Sequence, residues 1–455
     1  MRRVLAIGLA IIIVMIASRG VVAQEDSVSD RLLEILKDRQ IISNDEYGEL
    51  KGLAAEMKDD RADLDQRLGD LDRSISDYLA QGGDATAAGV TYTVGQGFTF
   101  TTSDNLFSLT IGGLFQFWYA GFDGDRNPVK YVDRNDKRDT NNFGSYNRFH
   151  FTGHAFVEEL TYYFEYSAGI DFSGVYIYEG YVDYNLCNWT NIRAGQFRVP
   201  FGRQNLVHIS DLTMVDRAIS SPWIDTGIMA HNMYTDVFGF DGLAAEYMIG
   251  LFDGDYASDN SWVAPAMRLV VYPLGPIDYV EGDWTASGDP RIGIGASFAY
   301  DRGRMSTGHE YMSAWGIDGV VVWNGLYLTG EWHRYKDDET GQGFYDPSEV
   351  VRNWFIQAGF MVMPAELELF IRYAKTGTPK GGESFSSSFA SGSYDNMIEW
   401  SGGAAYYFEG HPLKVIVQIV SLQTEYDGTY SSSGSSGKLD DEDVFGVILT
   451  FQLEW

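Results

Sequence analysis

Cysteine, proline and positive charge are scarce in this chain of 455 residues, and long apolar runs are nearly missing. The single Cys187 excludes an intramolecular disulfide framework and any cysteine-rich metal site, and reads as an isolated thiol. Basic residues number 33 against 64 acidic, a formal charge of -31, which excludes a nucleic-acid binder working through a broadly basic surface. The only continuous apolar run lies near the start, so membrane insertion farther on must use strands rather than helices. No phosphate-binding loop, His-Glu-x-x-His pair or nucleophile elbow occurs. What is abundant is aromatic or small: 27 Phe, 29 Tyr and 11 Trp make 15% of the chain, beside 51 Gly and only 11 Pro, a balance that favours β structure.

Arg2 and Arg3 precede the apolar stretch from Val4 to Ile16, and small residues at Val21 and Ala23 favour cleavage before Gln24. Residues 1–23 therefore read as a secretory signal peptide, with a core too short for a comfortable membrane span. From 24 to 80 the apolar period becomes helical. Ser27 with Asp30 and Ser43 with Glu46 look like capping boxes, opening a short helix and then a longer one. In the longer helix Leu50, Met57, Leu64, Leu71 and Tyr78 recur every seven residues, with Ala54, Arg61, Leu68 and Ile75 on the adjacent seam. This heptad pattern predicts a coiled-coil stalk about 50 Å long at about 1.5 Å per residue, or else one amphipathic helix lying on its own domain. Residues 81–97 read as a small-residue linker.

Beyond Gly97 the period becomes two, and sixteen strands can be drawn. They run 106–119, 146–157, 160–172, 174–186, 189–198, 234–240, 242–252 and 262–273, then 291–301, 311–323, 326–337, 350–363, 365–375, 394–408, 412–426 and 443–455. Tight turns at one end alternate with long connections at the other, as in an outer-membrane barrel. Two connections break that rule: Ser173 is too short for an external loop, and Leu274 to Pro290 is long for a periplasmic turn. The faces alternate too. Leu367, Leu369 and Ile371 stand against Glu366, Glu368 and Arg372, and Leu413, Val415, Val417 and Ile419 against Lys414 and Gln418. Charges on an inner face imply a wet lumen, since they cannot pack a dry core. A soluble sandwich or propeller would instead bury the apolar face and solvate the charged one. The fold class expected is an all-β transmembrane, 16-stranded antiparallel barrel, residues 98–455, preceded by a periplasmic α-helical coiled coil. The final strand alternates without a break through Phe451 and Leu453 to the terminal Trp455, resembling the signal read by the barrel assembly machinery.

Several segments together carry a wider likeness. They are Leu36-Lys37 to Tyr47, the opening hairpin Gly97-Phe98-Thr99-Phe100 to Ile111-Gly112-Gly113-Leu114-Phe115-Gln116, and Arg193-Ala194-Gly195-Gln196-Phe197-Arg198-Val199-Pro200-Phe201-Gly202. Val215-Asp216-Arg217-Ala218 and Leu251-Phe252-Asp253-Gly254 add to it. With them the chain resembles the phosphate-selective porin O and P family, nearly throughout its mature length. That resemblance implies a trimeric barrel in outer-membrane lipid passing anions or phosphate, with a third external loop folded into the lumen. The 199–233 connection then supplies the constriction, with Arg198, Arg203, Asp211, Asp216 and Arg217 as its charged candidates; a loop lying over the mouth is the alternative.

The inward strand positions test the anion expectation. Arg148, Arg193, Arg268, Arg291, Arg372 and Lys414 are basic, whereas Glu165, Asp171, Glu179, Asp183, Glu246, Asp318, Glu331, Glu366, Glu368, Glu399 and Glu454 are acidic. That lumen is not a positive funnel. Catalysis finds little support: Ser435 and Lys438 have a Ser-x-x-Lys spacing but sit in a Ser/Gly loop, and no enzyme activity, cofactor or metal is expected. His150 and His154 lie about 13 Å apart on a strand, too far for one metal. Asp123-Gly124-Asp125 and Asp253-Gly254-Asp255 read as solvated acidic loops rather than ion sites. The function read from the chain is a passive diffusion channel for small hydrophilic solutes or ions. The alternative is a structural outer-membrane anchor with a periplasmic tether.

Overall fold

A computed structural model describes residues 89–124, 140–168, 175–218, 224–240, 242–254, 263–301, 304–305, 308–309, 312–337, 350–377, 396–425, 429–432, 435–438 and 442–455. The signal peptide, the heptad helix and the first part of the linker lie outside the described residues.

A short hairpin, β1 (Gly89–Thr93) and β2 (Gly97–Thr101), precedes the long strands. The next eight are β3 (Ser108–Gly124), β4 (Thr140–Ala155), β5 (Val157–Ala168), β6 (Val175–Cys187), β7 (Thr190–Arg198), β8 (Ile224–Tyr234), β9 (Ala244–Phe252) and β10 (Ala264–Tyr272). The remaining eight are β11 (Arg291–Asp301), β12 (Met312–Trp323), β13 (Leu326–Asp337), β14 (Val350–Met363), β15 (Leu367–Gly377), β16 (Asn396–Tyr407), β17 (Leu413–Glu425) and β18 (Glu442–Glu454). Each of the strands from β3 to β18 pairs antiparallel with its sequence neighbours, and β18 closes on β3 through Val444↔Gly124 to Glu454↔Leu114. This is a closed 16-stranded antiparallel barrel. β2 extends the wall by pairing with β3 just past the end of β18, Phe98 opposite Ile111.

Closure is sealed by the last residue: Trp455 exchanges backbone hydrogen bonds with Gly113 at 2.9 and 3.0 Å. A Cβ on Gly113 would stand 2.7 Å from the Trp455 ring, so only glycine accommodates the ring there. Phe451 and Leu453 remain exposed on the outer surface. His150 and His154, too far apart for one metal, tie β4 to the N-terminal hairpin region. His150 Nε2 lies 3.2 Å from the Gln96 carbonyl, and His154 Nε2 lies 2.9 Å from that of Asn105.

Three expectations are corrected. The sixth long strand is β8, Ile224–Tyr234, not 234–240, so the preceding loop ends before Ile224 rather than at 233. Its alternation is weak, and its register is imposed by β7 and β9, which pair Asn191 with His231 and Met229 with Gly250. The aromatic 234–240 stretch forms a one-turn 3-10 segment, Val237–Gly239. Residues 89–93, expected as linker, form β1, which pairs with β2 from Gly89↔Thr101 to Thr93↔Gly97. Glu366, expected in the wall, sits in the turn closed by its own N–H to the Met363 carbonyl at 3.0 Å. The strand β15 accordingly starts at Leu367.

The polarity of the wall is reversed relative to a water-soluble fold. Leu369, Ile371, Ile294, Ile317, Ile356 and Phe360 are about half exposed, while the intervening Glu368, Arg372, Gln357 and Ser297 are buried. Alternation of this kind is stable only with an apolar phase outside. Ile371→Arg is expected to lower unfolding free energy in lipid vesicles by about 2–4 kcal/mol, the cost of a basic residue at mid-bilayer depth. Denaturant titration checks it, and an unchanged midpoint would place that face outside lipid.

Candidate constriction in the barrel lumen

The connection after β7 turns into the barrel at once. Phe201 N–H bonds the Val199 carbonyl at 2.7 Å, and Gly202 follows at φ 74°. A side chain there would be strained, and its Cβ would fall 2.6 Å from a Glu331 carboxylate oxygen. One helical turn, α1 (Arg203–Leu206), carries the chain inward.

From there the loop reaches both walls. On one side Gly202 N–H bonds Ser297 Oγ at 3.2 Å and Gln204 N–H bonds Glu331 at 2.5 Å. On the other side Val215 N–H bonds Gln418 at 3.0 Å, Arg372 donates to Asp216 at 2.9 Å, and Lys414 donates to the Ser210 and Leu212 carbonyls at 2.7 and 2.5 Å. Apolar anchors reinforce both ends. Phe201 packs with the buried β7–β12 cluster of Phe197, Phe252 and Ala266, and Met214 and Val215 pack with Trp118, Phe370, Ile416 and Val420. The connection therefore crosses the lumen rather than covering its mouth.

A second segment enters from the opposite end. The long β10–β11 connection, 273–290, buries Ile277 among Val270, Tyr272 and Tyr327, and aims Glu281 into the interior. Glu281 N–H bonds the Asp211 carbonyl at 3.0 Å. Its carboxylate accepts from Gln204 at 2.8 Å, Thr213 N–H at 3.0 Å and Gln357 at 2.7 Å. Glu281 is thus the clasp between loop and turn. Sequence reasoning missed it, although the abnormal length of 274–290 was the available signal. Outside the spanning strands, burial raises the Asp211 carboxyl, and burial, then the neighbouring Lys414, holds His411 well below its ordinary range. Burial, then Arg198, lowers Arg217 to about 10.

The predicted lining residues fall into distinct groups. Arg148 meets Glu165 at 2.5 Å, Arg198 meets Glu179 at 2.8 Å, Arg193 meets Asp183 at 2.8 Å, and Arg268 donates to Asp318 at 2.8 Å. Arg372 is shared between Asp216 and Glu399, the latter at 2.7 Å. Arg203 and Arg217 donate to backbone carbonyls of Asp278 and of Gln204 and Val207. Glu331 lies 2.9 Å from His333, and Glu368 accepts from Tyr407 at 2.5 Å. Arg193 is the most open of these ion-paired arginines, its side chain 25% exposed. Arg291 begins β11 at the turn end of the wall, and Glu366 lies in the turn between β14 and β15. Ser435 and Lys438 lie in a small hairpin, Thr429–Ser432 with Ser435–Lys438. No group of metal-ligating side chains occurs among the described residues.

No protein-family model and no curated protein sequence matches the chain. Solved structures do. The chain is similar to an anion-selective porin from Comamonas acidovorans at 13% identity, over 77% of this chain and 100% of that one, with a TM-score of 0.53. The outer membrane channel DcaP of Acinetobacter baumannii aligns at 12% identity over 78% and 99%, with a TM-score of 0.49. OmpF of Salmonella typhi aligns at 13% over 80% and 100%, with a TM-score of 0.47. The fold is that of the porin-type β-barrels.

Arg372→Met leaves Asp216 and Glu399 buried without their cation. Removing one partner of a buried ion pair costs about 3–5 kcal/mol, and the loop tip is expected to bear it. Limited proteolysis should cut within 199–218 faster than in the parent, with the barrel still folded; an unchanged cleavage rate would show that Arg372 does not hold the crossing.

Proposed function

We propose that this protein is an outer-membrane diffusion channel for small hydrophilic solutes or ions, driven by their concentration gradient and acting as a homotrimer. The observation that carries the reading is the inverted wall combined with a loop that crosses the lumen. An apolar exterior fits lipid, and a polar interior narrowed by charged residues is where a field can be focused on a passing ion. Targeting by a signal peptide, insertion by the barrel assembly machinery through Phe451, Leu453 and Trp455, and periplasmic helices belong to the same reading.

Phosphate selectivity is the finer reading, implied by the family resemblance. It requires unengaged arginine forks facing the path, yet the lumen arginines are held by carboxylates and carbonyls. We therefore read the channel as having little anion preference. The anion selectivity in the name of the Comamonas barrel is not transferred, because 13% identity supports the fold alone. A second reading, the plugged anchor, is favoured by the clasp at Glu281, where loop and turn fill the interior from both ends.

Planar bilayers decide between them. Purified protein should give discrete conductance steps, and the reversal potential in a salt gradient should sit near zero or on the cation side, given the carboxylate excess. Silent bilayers would support the anchor; a strongly anion-side reversal potential would restore phosphate.

A further inference from the structure

Among the side chains described, charge on the outward face of β12–β15 is confined to the long-loop end. It consists of Arg334, Arg352 and Lys375, all basic in a chain of net charge -31. Arg352 is exposed, and Arg334 and Lys375 are partly so. The register sets Arg334 directly opposite Arg352, on adjacent antiparallel strands. Cβ atoms of such pairs stand about 4.5–5.5 Å apart, and like charges so placed repel. Lys375 is beside them on β15, opposite Trp354. No carboxylate occupies the outward positions of these four strands among the described residues.

Their level is defined by the aromatic residues below. Trp332 and Trp354 are cross-strand partners one rung nearer the turn end, Trp354 packs on Tyr373 at 5.0 Å, and Tyr373 on Trp400 at 4.6 Å. Trp315, opposite Arg334, is packed with Phe298 at 4.6 Å. This is an interfacial girdle on the side of the long loops, with the three cations at headgroup height just beyond it. Two guanidinium forks and an ammonium on neighbouring strands at that height suit the oxygens of a phosphate monoester, which would also cancel their repulsion.

We infer that this patch binds the phosphate groups of a phosphorylated glycolipid of the outer leaflet, whose acyl chains lie on the apolar wall formed by Ile356, Phe360, Leu369 and Ile371. The site rests on the barrel being membrane-embedded but not on its conducting, so silent bilayers leave it standing.

Native mass spectrometry of detergent-solubilised protein tests it, with a bis-phosphorylated acylated diglucosamine lipid and its dephosphorylated counterpart as probes. The parent protein should retain the phosphorylated lipid preferentially. Arg334→Gln combined with Arg352→Gln should reduce retention about tenfold or more, the scale of losing charge-assisted hydrogen bonds. The Lys/Lys double variant, which keeps the charge, should bind at an intermediate level and serves if the Gln pair does not fold. Equal retention by the folded variants, equal binding of the dephosphorylated lipid, or full displacement by millimolar inorganic phosphate would overturn the assignment.

Discussion

Backbone hydrogen bonding inside an apolar phase is the constraint on which everything else rests. A strand facing lipid has no water to satisfy its N–H and C=O groups, so a spanning sheet must leave no edge. β18 meets that requirement by pairing with β3, and the carboxy-terminal Trp455 locks the seam against Gly113. Once the sheet is closed, side chains alternate between two solvents of opposite polarity. That alternation places Ile371 outside and Arg372 inside without any further instruction.

The interior then has a problem of its own, because charges turned away from lipid must still be paired or hydrated. Here pairing prevails. Arg148, Arg198, Arg268 and Arg372 each meet a carboxylate on the wall or on the crossing loop. Buried pairs contribute little net stability against their desolvation, but breaking one is costly, so they determine where a segment sits more than how stable the barrel is. Of the groups that would attract a passing anion, Arg198, Arg372 and Lys414 are therefore engaged in positioning the loop, and Arg148 and Arg268 are held by carboxylates of the wall. Selectivity and architecture draw on one set of side chains, and in this barrel architecture has the larger claim.

Entry of chain from both ends is the second consequence. The loop after β7 is anchored to both walls, while the turn before β11 rises to meet it at Glu281, whose carboxylate serves Gln204 and Thr213 of the loop and Gln357 of the wall. A clasp built from one acid and three neutral donors has no redundancy. Any opening of the path must either go around it or release it, which makes it the natural boundary between a conducting and a plugged barrel.

The chain by itself determined the sixteen-strand plan, the inward and outward faces and the closing strand, because period-two alternation and turn chemistry are local properties that survive in a one-dimensional reading. Fifteen of the strands can be located from that pattern, whereas Arg198, Arg203, Asp211, Asp216 and Arg217 are singled out by the family resemblance, which implies a third external loop folded into the lumen. Only the tertiary structure decided the rest. β8 has too weak an alternation to announce itself and takes its register from β7 and β9. Glu281 lies in a turn whose length was odd but whose direction nothing local sets. The pairing of Arg372 with Asp216 joins residues 156 apart in sequence. Such contacts depend on which groups the closed wall brings face to face across the lumen, and no local pattern encodes that distance.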